Sequence, residues 1–340
     1  MLNLLTQFTP FFVLVLLGWG ATRARLLPLE GIGALTVFVL FFGLPAMLFR
    51  LGASGALHQP GLGWLLLSYG VGGVCLMAAG LWWAQGQGLS RRDGGLVALV
   101  IAFPNTGFLG LPLLTGLLGP QAAGPVAATL IIDVLLLSSL CLAWAHSRPG
   151  TGSGPDEAAA RVNDSAWHAA QASLKGALRN PLLWSMALGM AWAETAQPVP
   201  AVLDTTLKLL GQSATPAALF TLGAILARAQ MQPVATHRVV APKALVVPTL
   251  LKLVLHPLLV LGAGRALQHQ GLNLPDAGLL ALVMAAALPS ASNVSMLAER
   301  ERADVALVAR IILGSTALAL VGVTAWALGL GLGPERAAAG

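Results

Sequence analysis

Charged side chains are scarce in this sequence. Asp, Glu, Lys and Arg make up 9% of its 340 residues, where a soluble domain carries about 25%. Apolar residues make up 56%, and the mean hydropathy is +0.79. Apolar runs of about twenty residues recur along the chain, the length that crosses a bilayer as a helix. That excludes a soluble domain and points to an all-α membrane protein. Cysteine is almost missing: Cys75 and Cys141 both sit inside apolar runs. They exclude a disulfide framework and a cysteine metal site, and are expected as small core residues. His-Glu-x-x-His, Gly-x-Ser-x-Gly, the P-loop and Cys-x-x-Cys are all lacking. No enzyme, no ATP-driven pump, no metal and no cofactor is therefore expected. The formal net charge of +6 is spread over loops without a dense basic patch. It reads as membrane topology, with no nucleic acid as partner.

What is present is a series of ten apolar spans: 4–21, 31–51, 62–84, 94–118, 121–146, 181–195, 202–227, 241–267, 277–298 and 304–330. They divide into a first group in 1–146, a polar linker at 147–180 and a second group in 181–340. The linker opens on Pro, Gly and Ser turn chemistry, and a short surface helix is expected around Trp167. No basic region precedes the first apolar run, and Arg23 and Arg25 follow it. A retained first helix with its N-terminus outside is expected. On that orientation thirteen Lys and Arg fall in inside loops, three fall outside, and Arg50, Lys252 and Arg310 fall within spans. Such a bias is the positive-inside pattern, with the linker cytoplasmic and both termini outside. Tryptophans near span ends, Trp326 among them, are expected in an interfacial belt.

The chain repeats itself. Leu44-Pro45-Ala46-Met47-Leu48-Phe49-Arg50-Leu51-Gly52 and Thr215-Pro216-Ala217-Ala218-Leu219-Phe220-Thr221-Leu222-Gly223 share six of nine residues at an offset of 171. The same offset pairs Pro10, Leu17 and Gly18 with Pro181, Leu188 and Gly189. Pro104 and Pro289 pair at an offset of 185. Five spans is an odd number, so the second five enter the membrane from the opposite side. Two inverted five-helix repeats are expected, an architecture of secondary transporters.

The longest charge-free run, 94–132, is interrupted by Pro104-Asn105-Thr106-Gly107, and 277–298 by Pro289-Ser290-Ala291-Ser292-Asn293. Proline breaks the helical ladder, and lipid cannot satisfy the freed backbone groups. Both interruptions are expected inside the protein, crossing near mid-depth beside a cavity. Helix N-termini facing one pocket suit an anion such as a carboxylate. Candidate binding residues are Pro104, Asn105 and Thr106 with Pro289, Ser290, Ser292 and Asn293. Asp133 is the lone carboxylate deep within a span, and so a candidate for proton coupling. Lys252 and His256 share a helix face one turn apart; they form a proton-linked site or bond to backbone carbonyls. Arg50 and Arg310, nearer span ends, are expected to snorkel.

Pro104-Asn105-Thr106-Gly107-Phe108-Leu109-Gly110-Leu111-Pro112, Asn180-Pro181, and Leu288-Pro289 followed by Ala298-Glu299 resemble the auxin efflux carrier family of the bile acid/arsenite/riboflavin transporter superfamily. The likeness covers nearly the whole chain. It implies ten helices, with the first, second, sixth and seventh as scaffold and the others as a transport unit around crossed helices four and nine. It implies carboxylate substrates: auxin in plants, malonate- or malate-like acids in bacterial members. Asn105 falls on the asparagine that contacts the substrate carboxylate. Plant members have a second asparagine where Leu182 stands here, and apolar residues at Ser292 and Asn293, so a smaller and more polar acid than auxin is expected. The leading expectation is a secondary transporter of a small organic anion. Alternatives are a sodium- or proton-coupled carrier of another solute and a membrane ligand sensor. Small-residue faces such as Gly70, Gly72 and Gly73 are expected to pack helices within one subunit or between the two of a homodimer.

Overall fold

A computed structural model describes residues 2–146, 171, 181–231, 241 and 245–332. The linker apart from Gln171, the helix expected around Trp167 and the tail at 333–340 lie outside the described residues. Among the described residues every regular element is a helix. In chain order these are α1 Leu2–Arg23, α2 Gly31–Ala53, α3 Leu62–Gly86, α4 Arg91–Ala102, α5 Thr106–Leu118 and α6 Pro120–His146. They continue as α7 Pro181–Glu194, α8 Ala201–Met231, α9 Val246–His269, α10 Asp276–Ala286, α11 Val294–Arg300 and α12 Val305–Gly329. Six of them, α2, α3, α6, α8, α9 and α12, are long and apolar enough to cross a membrane. The protein is an all-α integral membrane protein. The apolar stretches at 94–118 and 277–298 are each two helices, α4 with α5 and α10 with α11, parted at Pro104 and Pro289.

Two sets of helices pack among themselves. α1 lies along α8, and α2 lies between α7 and α8; α3 lies against α4 and α9, α4 against α6, and α9 against α10. Glycine sets the closeness of the first set. A Cβ on Gly18 of α1 would strike the Phe220 carbonyl of α8, and one on Gly223 of α8 would strike the Val15 carbonyl. A Cβ on Gly189 of α7 would strike the Phe49 carbonyl of α2, and one on Gly52 of α2 the Met186 carbonyl. Without hydrophobic drive between helices in lipid, such backbone approach is what holds them. These contacts map onto one another: 15, 18, 49 and 52 each stand 171 positions before 186, 189, 220 and 223.

Polar contacts tie the helix ends in two groups. In one, Ser90 Oγ caps α4 by accepting the Asp93 N–H (3.0 Å), and Asp304 Oδ1 caps α12 by accepting the Leu307 N–H (2.9 Å). Such caps satisfy N–H groups that the helix leaves open. Asp93 Oδ1 accepts the Asp304 N–H (2.8 Å), and His146 Nε2 meets Glu301 Oε2 (2.8 Å). A cavity of about 440 Å³ opens here, lined by Ser90, Arg92, Asp93, Ala145 and Arg302. In the other group, Arg50 pairs with Asp204 and His58 with Glu194, both at 2.8 Å. Arg50 thus has a partner in place of snorkelling alone, while Arg310 is exposed.

One expectation needs correcting: Cys141 is buried, but Cys75 is exposed. Gly72 and Gly73 pack within the chain, against Val260 of α9 and Leu137 of α6, and Gly70 also faces α6. Trp326 is half-buried near the end of α12, and its Nε1–H donates to the Leu253 carbonyl (2.9 Å). Leu253 lies in a π-helical turn, Leu251–Leu255, which displaces the regular carbonyl pairing.

Candidate functional site

Each proline removes an N–H and interrupts its helix, leaving backbone groups that need partners. The two interruptions supply them to each other. Pro104 and Ser290 form an isolated antiparallel bridge. The Asn105 N–H donates to the Pro289 carbonyl (2.8 Å), and the Ala291 N–H donates to the Phe103 carbonyl (2.9 Å). Asn105 sits at φ −78, ψ 55, and the Thr106 N–H donates to the Pro104 carbonyl (2.8 Å). That is an inverse γ-turn, which bends the chain just before α5. The Ser290 N–H donates to Ser315 Oγ of α12 (3.1 Å).

The side chains at this crossing are buried and lack partners. Pro104, Asn105, Thr106, Pro289, Ser290 and Ser292 are all buried. Asn105 Nδ2, Thr106 Oγ1, Ser290 Oγ and Ser292 Oγ have no hydrogen-bond partner within the described residues. Most buried polar atoms in proteins are satisfied, so four orphans at one crossing make it the candidate site. Asn293 differs: it is exposed. The N–H groups of Val294 and Ser295 are engaged by the Ala291 and Ser292 carbonyls (3.4 and 3.2 Å). The second break therefore presents hydroxyls more than the amide end expected of it.

A second buried group stands beside the first. Asp133, Lys252, His256 and Tyr69 are each fully buried. The Tyr69 O–H donates to Asp133 Oδ1 (2.8 Å), and the Tyr69 and His256 rings are 5.7 Å apart. Lys252 Nζ lies 2.8 Å from His256 Nδ1 and donates to the Ala286 carbonyl (3.1 Å). Lys252 and Asp133 also lie within electrostatic reach of one another. Asp133 Oδ2 and His256 Nε2 have no hydrogen-bond partner among the described residues. Both Asp133 and Lys252 sit in π-helical turns, Ile132–Leu137 and Leu251–Leu255, a distortion common at functional sites. In α6 the turn is eased by Ser138, whose Oγ–H donates to the Asp133 carbonyl (2.9 Å).

The spacing rule for Lys252 and His256 holds, and Lys252 does bond to a backbone carbonyl. Sequence reasoning missed Tyr69 and Ser315. Tyr69 carried one signal, as the lone tyrosine of the chain in the middle of an apolar run. Ser315 carried none. Among the described residues no group of three His, Cys, Asp or Glu converges to hold a metal ion.

Known proteins resemble this chain along most of its length. An "Uncharacterized transporter" of Methanothermobacter thermautotrophicus is 26% identical over 93% of this chain and 95% of its own. A "Putative malonate transporter" of Rhizobium meliloti is 28% identical over 86% of this chain and 84% of its own. The "Uncharacterized transporter YfdV" of Escherichia coli is 24% identical over 86% of each. These relatives are named as transporters, a class that generally does no chemistry on its cargo. Residues 4–327, including both interrupted stretches and the buried tetrad, match the family described as Membrane transport protein. On that match this chain belongs to the Membrane transport protein family.

Proposed function

We propose that the protein is a secondary transporter of a small organic anion, a malonate- or malate-like carboxylate, which binds where the two interrupted helices cross. The observation that carries this reading is the set of orphaned polar atoms on Asn105, Thr106, Ser290 and Ser292, buried at the bridge between Pro104 and Ser290. Asn105 Nδ2 and the three hydroxyls are donors, the chemistry a carboxylate needs. Asn293 lies at the exposed edge of the same break. The malonate in one relative's name agrees with a small acid.

The same reading takes the fold as ten crossings in two inverted repeats. The glycine contacts related by an offset of 171 support it. So do the two groups of helix ends, which coincide with the inside and outside loops of the positive-inside assignment. α1, α2, α7 and α8 act as scaffold. The remaining helices move as a unit that carries the crossing from one side to the other. Arg92 and Arg302, on the inside face, favour anions at the mouth. Asp133 takes up the coupling proton.

The experiment is uptake of labelled malonate into proteoliposomes, with acetate, malate and succinate as competitors. The expected result is saturable uptake in wild type and little in Asn105→Ala. Uptake equal in both would overturn the placement of the site, and transport of none of these acids would overturn the substrate class.

A further inference from the structure

The crossing has donors but no charge. Asn105, Thr106, Ser290 and Ser292 are all neutral, so a carboxylate entering there brings an uncompensated negative charge into a dry interior, at high cost. A cation is fixed close by. Lys252 Nζ is fully buried and donates to the carbonyl of Ala286. Ala286 is the last residue of α10, three positions before Pro289. The Pro289 carbonyl in turn receives the Asn105 N–H. Lys252 therefore caps the negative end of the half-helix that runs into the anion site.

Among the described residues the titratable groups around Lys252 are Asp133 of α6, His256 of α9 itself and, bonded to Asp133 and against the His256 ring, Tyr69 of α3, while α10 offers the Ala286 carbonyl. Arg310, the titratable residue of α12, is exposed. With Lys252 an ammonium, its contact with His256 Nδ1 needs that nitrogen as acceptor, which makes the imidazole neutral with its proton on Nε2. With Asp133 ionised, the carboxylate and the ammonium cancel. With Asp133 protonated, the cluster carries one positive charge.

We infer that Lys252 is the counter-charge of the transported anion, freed for that role when Asp133 takes up a proton, so that proton and anion bind together. The inference rests on the reading of the crossing as an anion site. The proton comes from solvent and stays on the Asp133 carboxyl; no other bond changes. Each ligand stabilises the state the other prefers, and the coupling is reciprocal.

The test uses the purified full chain and malonate, or whichever of acetate, malate and succinate raises its melting temperature most. Binding is measured in weak buffer with a pH-indicator dye, at pH values where the acid is fully ionised. The expected result is about one proton taken up per anion bound, with affinity falling about tenfold per pH unit while Asp133 titrates. Asp133→Asn, a neutral stand-in for the protonated acid, should bind without proton uptake and without pH dependence. Lys252→Met added to Asp133→Asn leaves a neutral cluster and should bind at least tenfold more weakly than Asp133→Asn alone. Binding without proton uptake in wild type, or equal affinity in those two variants, overturns the inference and leaves the crossing as the anion site. Binding that Asn105→Ala does not weaken overturns the site itself, and binding of none of the four acids overturns both.

Discussion

The two interrupted helices look alike in sequence and differ in what surrounds them. At the first, α4 runs into Pro104 with buried neutral residues on every side. Asn105 turns the chain, and α5 continues for more than three turns. At the second, α10 ends on a carbonyl held by the Lys252 ammonium, and only seven residues of α11 follow. The Ser290 N–H needs Ser315 of α12, whereas the Asn105 N–H is met by the other break. The first break thus offers uncharged hydrogen-bonding groups. The second has a buried ammonium on the carbonyl where its first helix ends. Two breaks of similar sequence can differ in this way, because the residues that meet each one come from other helices.

That contrast can be broken from the charged side first. Lys252→Met removes a buried cation in contact with His256 and the Ala286 carbonyl and within electrostatic reach of Asp133. That leaves the carboxylate buried without a counter-charge, at a cost of about 3–5 kcal/mol. Thermal unfolding should show that loss, and adding Asp133→Asn should recover much of it. A Lys252→Met protein as stable as wild type would mean that the second break needs no charge. Next in size is Asn105→Ala. A hydrogen bond to a charged group is worth about 1.5–3 kcal/mol, so malonate transport should fall roughly ten- to a hundredfold. The melting temperature should hold, because Asn105 Nδ2 has no protein partner to lose.

Smaller effects sharpen the comparison. Wild-type uptake should rise as external pH falls, and Asp133→Asn should flatten that slope when both are assayed with the acid in the same ionic form. An unchanged slope would remove Asp133 from coupling. Ser290→Ala and Ser292→Ala each delete a neutral donor worth about 0.5–1.5 kcal/mol, so each should lower transport roughly two- to tenfold. Asn293→Ala, at an exposed position, should change flux by less than about twofold. A larger loss there than at Ser290 would shift the binding site outward along the second break.

Some of this was legible from residues alone. The prolines at 104 and 289 marked both interruptions because their effect on a helix is local and needs no neighbour. The repeats surfaced because Gly18, Gly52, Gly189 and Gly223 fill equivalent roles in packing and so kept equivalent places. Asp133 and Lys252 were conspicuous because ionised groups are rare in apolar spans. Their partners were not: Tyr69 lies 64 residues from Asp133, and Ser315 lies 25 from Ser290. Nor did anything in the run from Ser290 to Asn293 separate two buried hydroxyls from an exposed amide.

Composition and pattern were enough to make this chain a membrane-embedded bundle with two severed helices. Apolar length and proline chemistry act on a segment regardless of what lies next to it. That the severed ends complete each other's backbone pairing, and that an ammonium from α9 caps one of them, depends on distances between segments far apart along the chain. Those distances exist only once the helices have packed.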